Sequence, residues 1–285
     1  MCQTSLQRIF FSLDYESYKV CMEVSKEWRI LLTSQQFQLK GKSVFCEEIQ
    51  RELIQDSINC NLKNVESILS RFMVDINCVG WDGGLRQETA LSYTASGGDI
   101  ELVNLLLDKG ANQNKGDDKG WSPLHWSSTY GNKNIVQLLL DRGADPNVDN
   151  LHKETPLLLA ADKNHREVVQ LLLYNGAHHH IADKEGWTPL YWATRRGYED
   201  MVQLLLDSGS DPNMRNNYGS TPPHGDARSG HTYVVKLLID RSADLTIGNH
   251  DGNTVLHLAA WKGHKDVVKL LLNKAADPHA LNKDG

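Results

Sequence analysis

Cysteine is scarce in this chain and unevenly placed: there are five, Cys2, Cys21, Cys46, Cys60 and Cys78. An odd number without C-x-x-C spacing excludes a disulfide framework and the common zinc and redox motifs, so they read as reduced intracellular thiols. Long apolar runs are missing too. The cluster Ile9-Phe10-Phe11 meets Ser12 and Asp14 almost at once, so neither a secretory leader nor a membrane span is expected. The expected location is cytoplasmic, nuclear or both. Positive charge is not in excess: 30 Lys and Arg against 36 Asp and Glu give a net charge of -6, which argues against a surface built to neutralise nucleic-acid phosphates. Catalytic equipment is absent as well. No nucleophile, base and orienting acid recur together and no glycine-rich phosphate loop follows a strand, so no enzyme and no cofactor is expected.

What the chain does have is a period. Thr89, Ser122, Thr155, Thr188, Thr221 and Thr254 stand 33 residues apart without a slip. A repeat of this length holds one supersecondary unit, which cannot bury an apolar face alone and must stack on its neighbours. Residues 183–213 give the most regular copy. Asp183-Lys184-Glu185-Gly186-Trp187 reads as a turn, Thr188 as a helix N-cap and Pro189 as the first helical residue, where its missing N–H costs nothing. Leu190, Ala193 and Thr194 give a short first helix a small inner face, which Gly197 ends. Met201, Val202, Leu204, Leu205 and Leu206 form a second apolar helix that Gly209 closes. Leu102-Val103, Ile135-Val136, Val168-Val169, Val234-Val235 and Val267-Val268 repeat the core column of Met201-Val202.

These residues resemble the ankyrin repeat family. Ser122-Pro123-Leu124-His125, Thr188-Pro189-Leu190-Tyr191 and Leu256-His257-Leu258-Ala259-Ala260 are similar to its T-P-L-H-x-A-A signature, and Gly143-Ala144-Asp145-Pro146-Asn147 to its hairpin. The resemblance implies an all-α solenoid over residues 47–285 that binds proteins. It holds a divergent first repeat at about 50–77, then repeats at 84–116, 117–149, 150–182, 183–215, 216–248 and 249–281. Residues 282–285 match the start of another finger, as expected of a fragment or of an array without a C-terminal cap. The first repeat lacks the signature and its finger is four residues longer than the others.

Residues 1–46 carry no such signature. Leu6, Ile9, Phe10, Leu13, Val24 and Trp28 fall at helical spacing, and Ile9-Phe10-Phe11-Ser12-Leu13 followed by Val24-Ser25-Lys26-Glu27-Trp28 resembles the F-box. That resemblance implies that these six residues dock on a Skp-type adaptor and that the chain is a substrate receptor of a cullin-RING ubiquitin ligase. Met1-Cys2-Gln3-Thr4 stand where the family has L-P-x-E. The alternative is a helical cap over the first repeat with Trp28 as its core, in a plain scaffold protein.

Partner binding is expected on the concave side, through positions that the repeat does not fix. Trp121 and Trp187 precede the capping residue, and Tyr130, Arg195, Arg196, Arg228 and Trp261 lie before or near the first-helix glycine. With Tyr218 they define a predicted groove suited to an acidic or aromatic protein segment, the aromatic rings being read as exposed. Trp126 and Trp192 are expected to pack between repeats. A monomer is expected.

Three further features stand out. His178-His179-His180 lies in a hairpin, where consecutive side chains diverge, and is read as polar surface, not as a metal site. His125 and His257 are expected to hydrogen-bond at finger bases. The sixth repeat puts Pro223 in the Leu column and Asp226 where Ala160, Ala193 and Ala259 stand, a carboxylate that needs a partner if buried, or else a hinge. Ser242 and Ala275 replace the glycines at 110, 143, 176 and 209, so the C-terminal repeats are expected to fray first.

Overall fold

The computed structural model describes residues 44–71, 75–81 and 87–285. The F-box-like residues Leu6, Ile9, Phe10, Leu13, Val24 and Trp28 lie outside the described residues.

Helices follow one another in pairs: α1 (Val44–Ile58) with α2 (Leu62–Arg71), α3 (Ala90–Gly97) with α4 (Ile100–Asp108), and α5 (Pro123–Tyr130) with α6 (Lys133–Asp141). The series continues as α7 (Pro156–Asp162) with α8 (Arg166–Tyr174), α9 (Pro189–Arg196) with α10 (Glu199–Asp207), α11 (Pro222–Ser229) with α12 (Thr232–Asp240), and α13 (Val255–Trp261) with α14 (Lys265–Asn273). Helix α1 runs across residue 46, where the sequence divides the repeats from the N-terminal module. First helices pack on first helices and second on second, giving two layers of helices along the array. The longer first finger forms β1 (Val79–Trp81) and β2 (Gln87–Thr89), an antiparallel pair with Gly80 opposite Glu88. The fold remains all-α, since these strands are three residues each.

Local chemistry sets each helix boundary. Thr188 Oγ1 accepts the Tyr191 N–H at 3.2 Å, Pro189 opens α9, and Gly197 ends it at a φ of 73°. Each finger turn is tied by one carboxylate or amide oxygen. Asp183 Oδ1 accepts from the backbone N–H groups of Glu185 at 3.0 Å and Trp187 at 2.8 Å. Asp117, Asn150, Asn216 and Asn249 do the same in their own fingers. Backbone bonds then join finger to finger: the N–H of Lys184 donates to the His152 carbonyl at 2.9 Å, that of Asn217 to Glu185 at 3.0 Å and that of His250 to Tyr218 at 2.9 Å.

The buried apolar side chains form two clusters that part within the sixth repeat. One extends from Leu53 and Ile54 to Val234 and Leu238. The other holds Ala227, Val235, Val255, Leu258, Ala259, Val267, Leu271 and Ala276. At this point Asp226, fully buried, takes the place that Ala160 and Ala193 hold in the two preceding repeats.

Helix α11 is continuous through Pro223 and Asp226. Both prolines fall in its first turn, where backbone N–H groups have no intrahelical acceptor. Asp226 has found its partner: Oδ1 lies 2.9 Å from Nδ1 of His231, the residue that precedes α12. Burial pushes this carboxyl up to about 6, against the opposing pull of His231. The hydrogen bond to Asp226 raises His231 in turn. Ser242 and Ala275 occupy the left-handed region, with φ of 66° and 62°, where their sister repeats use glycine.

Candidate protein-interaction face

The first helices bring their aromatic and basic side chains to one layer, at the positions where the repeat signature is permissive. Two aromatic clusters result. In the third repeat Trp121 lies against Trp126 with ring centroids 4.5 Å apart, and Trp126 stacks on Tyr130 at 6.2 Å. In the fifth, Trp187 lies 4.0 Å from Tyr191 and 5.7 Å from Tyr218 of the next finger, with Trp192 at 6.5 Å. The fourth repeat between them has Glu154, Leu158 and Leu159 at the corresponding positions.

Trp121 and Trp187 of the predicted groove are half-buried, not exposed. Their backbone N–H groups are held by Asp117 and Asp183, which turns each ring back onto its own first helix. The exposed aromatic area comes from Tyr130, Tyr218 and Trp261, at 50%, 56% and 69%. Trp126 is buried, and its ring meets Trp121 and Tyr130 of its own repeat. Trp192 is half-buried and donates its indole N–H to Asp183 Oδ2 at 3.4 Å, while Arg195 lies over its ring at 5.2 Å.

The basic residues divide by what holds them. Arg196 is bound across the repeat boundary to Asp162 at 2.8 Å and so serves the stack. Arg195 and Arg228 are exposed and both act on the hydroxyl end of Tyr191, opposing the upward push of burial on that phenol. Trp261 stands apart with Lys262 over its ring at 4.1 Å. The structure thus assembles Trp187, Arg195, Tyr218 and Arg228 around Tyr191, and gathers Trp121 with Tyr130 one repeat away.

Tyr191 and Gly225 are members that the sequence reading did not assign to the site. Tyr191 stands in the signature histidine column. His125 there accepts the Ser122 N–H on Nδ1 at 3.0 Å and uses Nε2 on the Glu154 carbonyl at 3.0 Å. His224 repeats this with Thr221 and Asn253, and burial pushes both imidazoles down to about 4, so they are neutral fittings of the finger base. His257 contacts Thr254 in the same way. Tyr191 places its ring instead against α11, where Gly225 has no side chain: a Cβ there would lie 2.9 Å from the ring. The readable signal was a pair of exceptions in adjacent repeats, Tyr for His and Gly for Trp or Leu.

His178 and His180 are exposed, their rings stacked at 5.3 Å, and the His178 N–H donates to Asn147 Oδ1. Among the described residues no group of His, Cys, Asp and Glu has the arrangement of a metal site, and no helix is long and apolar enough to cross a membrane.

A comparison with curated proteins returned no match. A family model described as ankyrin repeats (3 copies) matches residues 53–150, 147–216 and 208–282, and no F-box match was found. These spans cover most of the chain and coincide with the helix pairs and tied fingers described above, and the chain therefore belongs to the ankyrin repeat family, whose repeats form protein-interaction modules.

Proposed function

We propose that the chain is a non-enzymatic adaptor in which residues 1–46 dock on a Skp-type adaptor of a cullin-RING ubiquitin ligase and the aromatic-basic face holds the substrate protein. The observation that carries the docking half is the convergence of Trp187, Tyr191 and Tyr218 with Arg195 and Arg228. Aromatic and arginine side chains are the ones that dominate binding energy at protein interfaces. The ligase half rests on the sequence pattern from Ile9-Phe10 to Val24 and Trp28. The working location is then cytoplasm or nucleus, and the working form a monomer.

Co-expression with a Skp-type adaptor tests the ligase half: the full chain is expected to retain the adaptor on affinity purification, and Phe10→Ala to lose it. Failure of the intact chain to retain it leaves the second reading, a scaffold whose N-terminal helices only cap the repeats. That reading is favoured by Met1-Cys2-Gln3-Thr4 standing in place of L-P-x-E. For the docking half, Trp187→Ala with Arg195→Ala separates two roles. Lost thermal stability with unchanged partner capture would show that these residues serve the stack alone.

A further inference from the structure

We infer that the segment lying across α9, α11 and α13 is acidic: an extended, carboxylate-rich stretch of a partner protein, with an apolar or aromatic side chain set against Trp187 and Tyr218. The inference rests on the docking face proposed above and concerns the chemistry of its occupant.

Ion pairs between successive repeats gather just past the second helices. There Arg142 pairs with Asp108 of the repeat before at 2.9 Å, Arg241 with Asp207 at 2.8 Å and Lys274 with Asp240 at 3.1 Å, while Arg166, Lys236 and Lys265 on the same layer have no ion pair among the described residues. On the first helices Arg195 and Arg228 take the same position in successive repeats, are exposed, and form no ion pair among the described residues; Lys262, just past α13, lies over the Trp261 ring. Of α3 to α14, only α9 and α11 carry basic residues in their last turn.

The carboxylates of this layer are already engaged. Asp162 holds Arg196 and Lys163 at 2.8 and 3.0 Å. Asp183 accepts the amides of Glu185 and Trp187 and the Trp192 indole. Asp226 is buried against His231. Arg195 and Arg228, one repeat apart and without carboxylate partners among the described residues, therefore stand on a chain of net charge -6, beside half-buried aromatic rings that lower the local dielectric. Such a surface gains from negative charge in a partner, chiefly through encounter rate and register, and the gain is screened by salt.

The test uses the full chain and two fluorescent peptides of equal length, an oligoglutamate carrying one tryptophan and the same peptide with every Glu replaced by Gln. Fluorescence polarisation at low ionic strength is expected to show the Glu peptide binding at least about tenfold more tightly than the Gln peptide, with the difference lost in high salt. Arg195→Glu with Arg228→Glu is expected to remove that preference, while Lys236→Glu, the same charge change on the second-helix layer, leaves it. Melting curves monitor folding, and Arg195→Gln with Arg228→Gln serves if charge reversal unfolds the protein. Equal binding of both peptides, binding of neither, or an unchanged preference in the double variant overturns the inference. Equal binding that Trp187→Ala abolishes would leave the docking face standing and remove only its acidic occupant. A charge preference untouched by Trp187→Ala would instead count against the aromatic face.

Discussion

Five residues after its capping threonine the fifth repeat buries Ala193, and the sixth buries Asp226 in the same place. One position earlier the fifth has Trp192 and the sixth Gly225. After the second helix the fifth turns on Gly209 at a φ of 93°, the sixth on Ser242 at 66°. Each change in the sixth repeat is unfavourable to a stack, and the contiguous apolar core parts there. Yet one of these exceptions serves the proposed docking patch, since Gly225 admits the Tyr191 ring beside Arg228 of the same helix. The comparison teaches that a repeat array localises function where it departs from its own consensus, and that the departure is borne by local stability.

Core truncation should break the comparison most strongly. Leu205 and Leu271 are both fully buried, one in each cluster. Leu205→Ala is expected to cost about 2–5 kcal/mol in the main urea transition. Leu271→Ala should instead advance a separate, earlier transition, because neighbouring repeats couple only through their interface. A single shared transition in both variants would mean that the two clusters unfold as one.

Asp226→Ala sharpens the contrast through pH. The carboxyl titrates at 3.8 when unfolded and at about 6 when folded. Between those values the native chain holds a proton that the unfolded chain has released, so stability falls as pH rises through the window. The loss is complete above the folded value and amounts to roughly 3 kcal/mol. His231, raised by Asp226, contributes stability that is whole below its ordinary 6.5 and disappears as pH climbs through its folded value. Replacing Asp226 removes both effects. The variant should gain roughly 1–3 kcal/mol at neutral pH and lose the acid-side slope. A neutral-pH loss, measured by denaturation across pH, would show that the Asp226–His231 pair is a net support.

Gly225→Ala tests whether the site or the helix governs that position. Helix propensity favours alanine by about 1 kcal/mol, but the added Cβ would sit 2.9 Å from the ring of the buried Tyr191. Overpacking should win, with a net loss of about 1–2 kcal/mol and weaker peptide binding. Stabilisation in a melting experiment would mean that Tyr191 can move aside freely.

The smallest expected effect exchanges turn residues. Ser242→Gly should gain, and Gly209→Ser should lose, on the order of 1 kcal/mol in thermal unfolding, because only glycine takes a left-handed φ without steric cost.

The fold was legible because the period carries it. Thr188, Pro189 and Gly197 state a cap, a first turn and a stop in local chemistry that no distant contact needs to supply. Asp226 was readable as a misfit, but its partner was not. His231 stands in the column of Asn132, His165 and His264, which reach back to carbonyls of the preceding repeat, and only packing reveals that this imidazole also faces the carboxylate. The rings of Trp121 and Trp187 were legible as exceptions and misjudged in exposure, since finger geometry, absent from the pattern, folds them inward.

Amide hydrogen exchange, resolved helix by helix on the full chain, tests most directly that the sixth repeat gives up stability where the docking patch is built. The account predicts early exchange in α11 to α14 and slow exchange in α5 to α10. Uniform protection from α5 through α14 would contradict it.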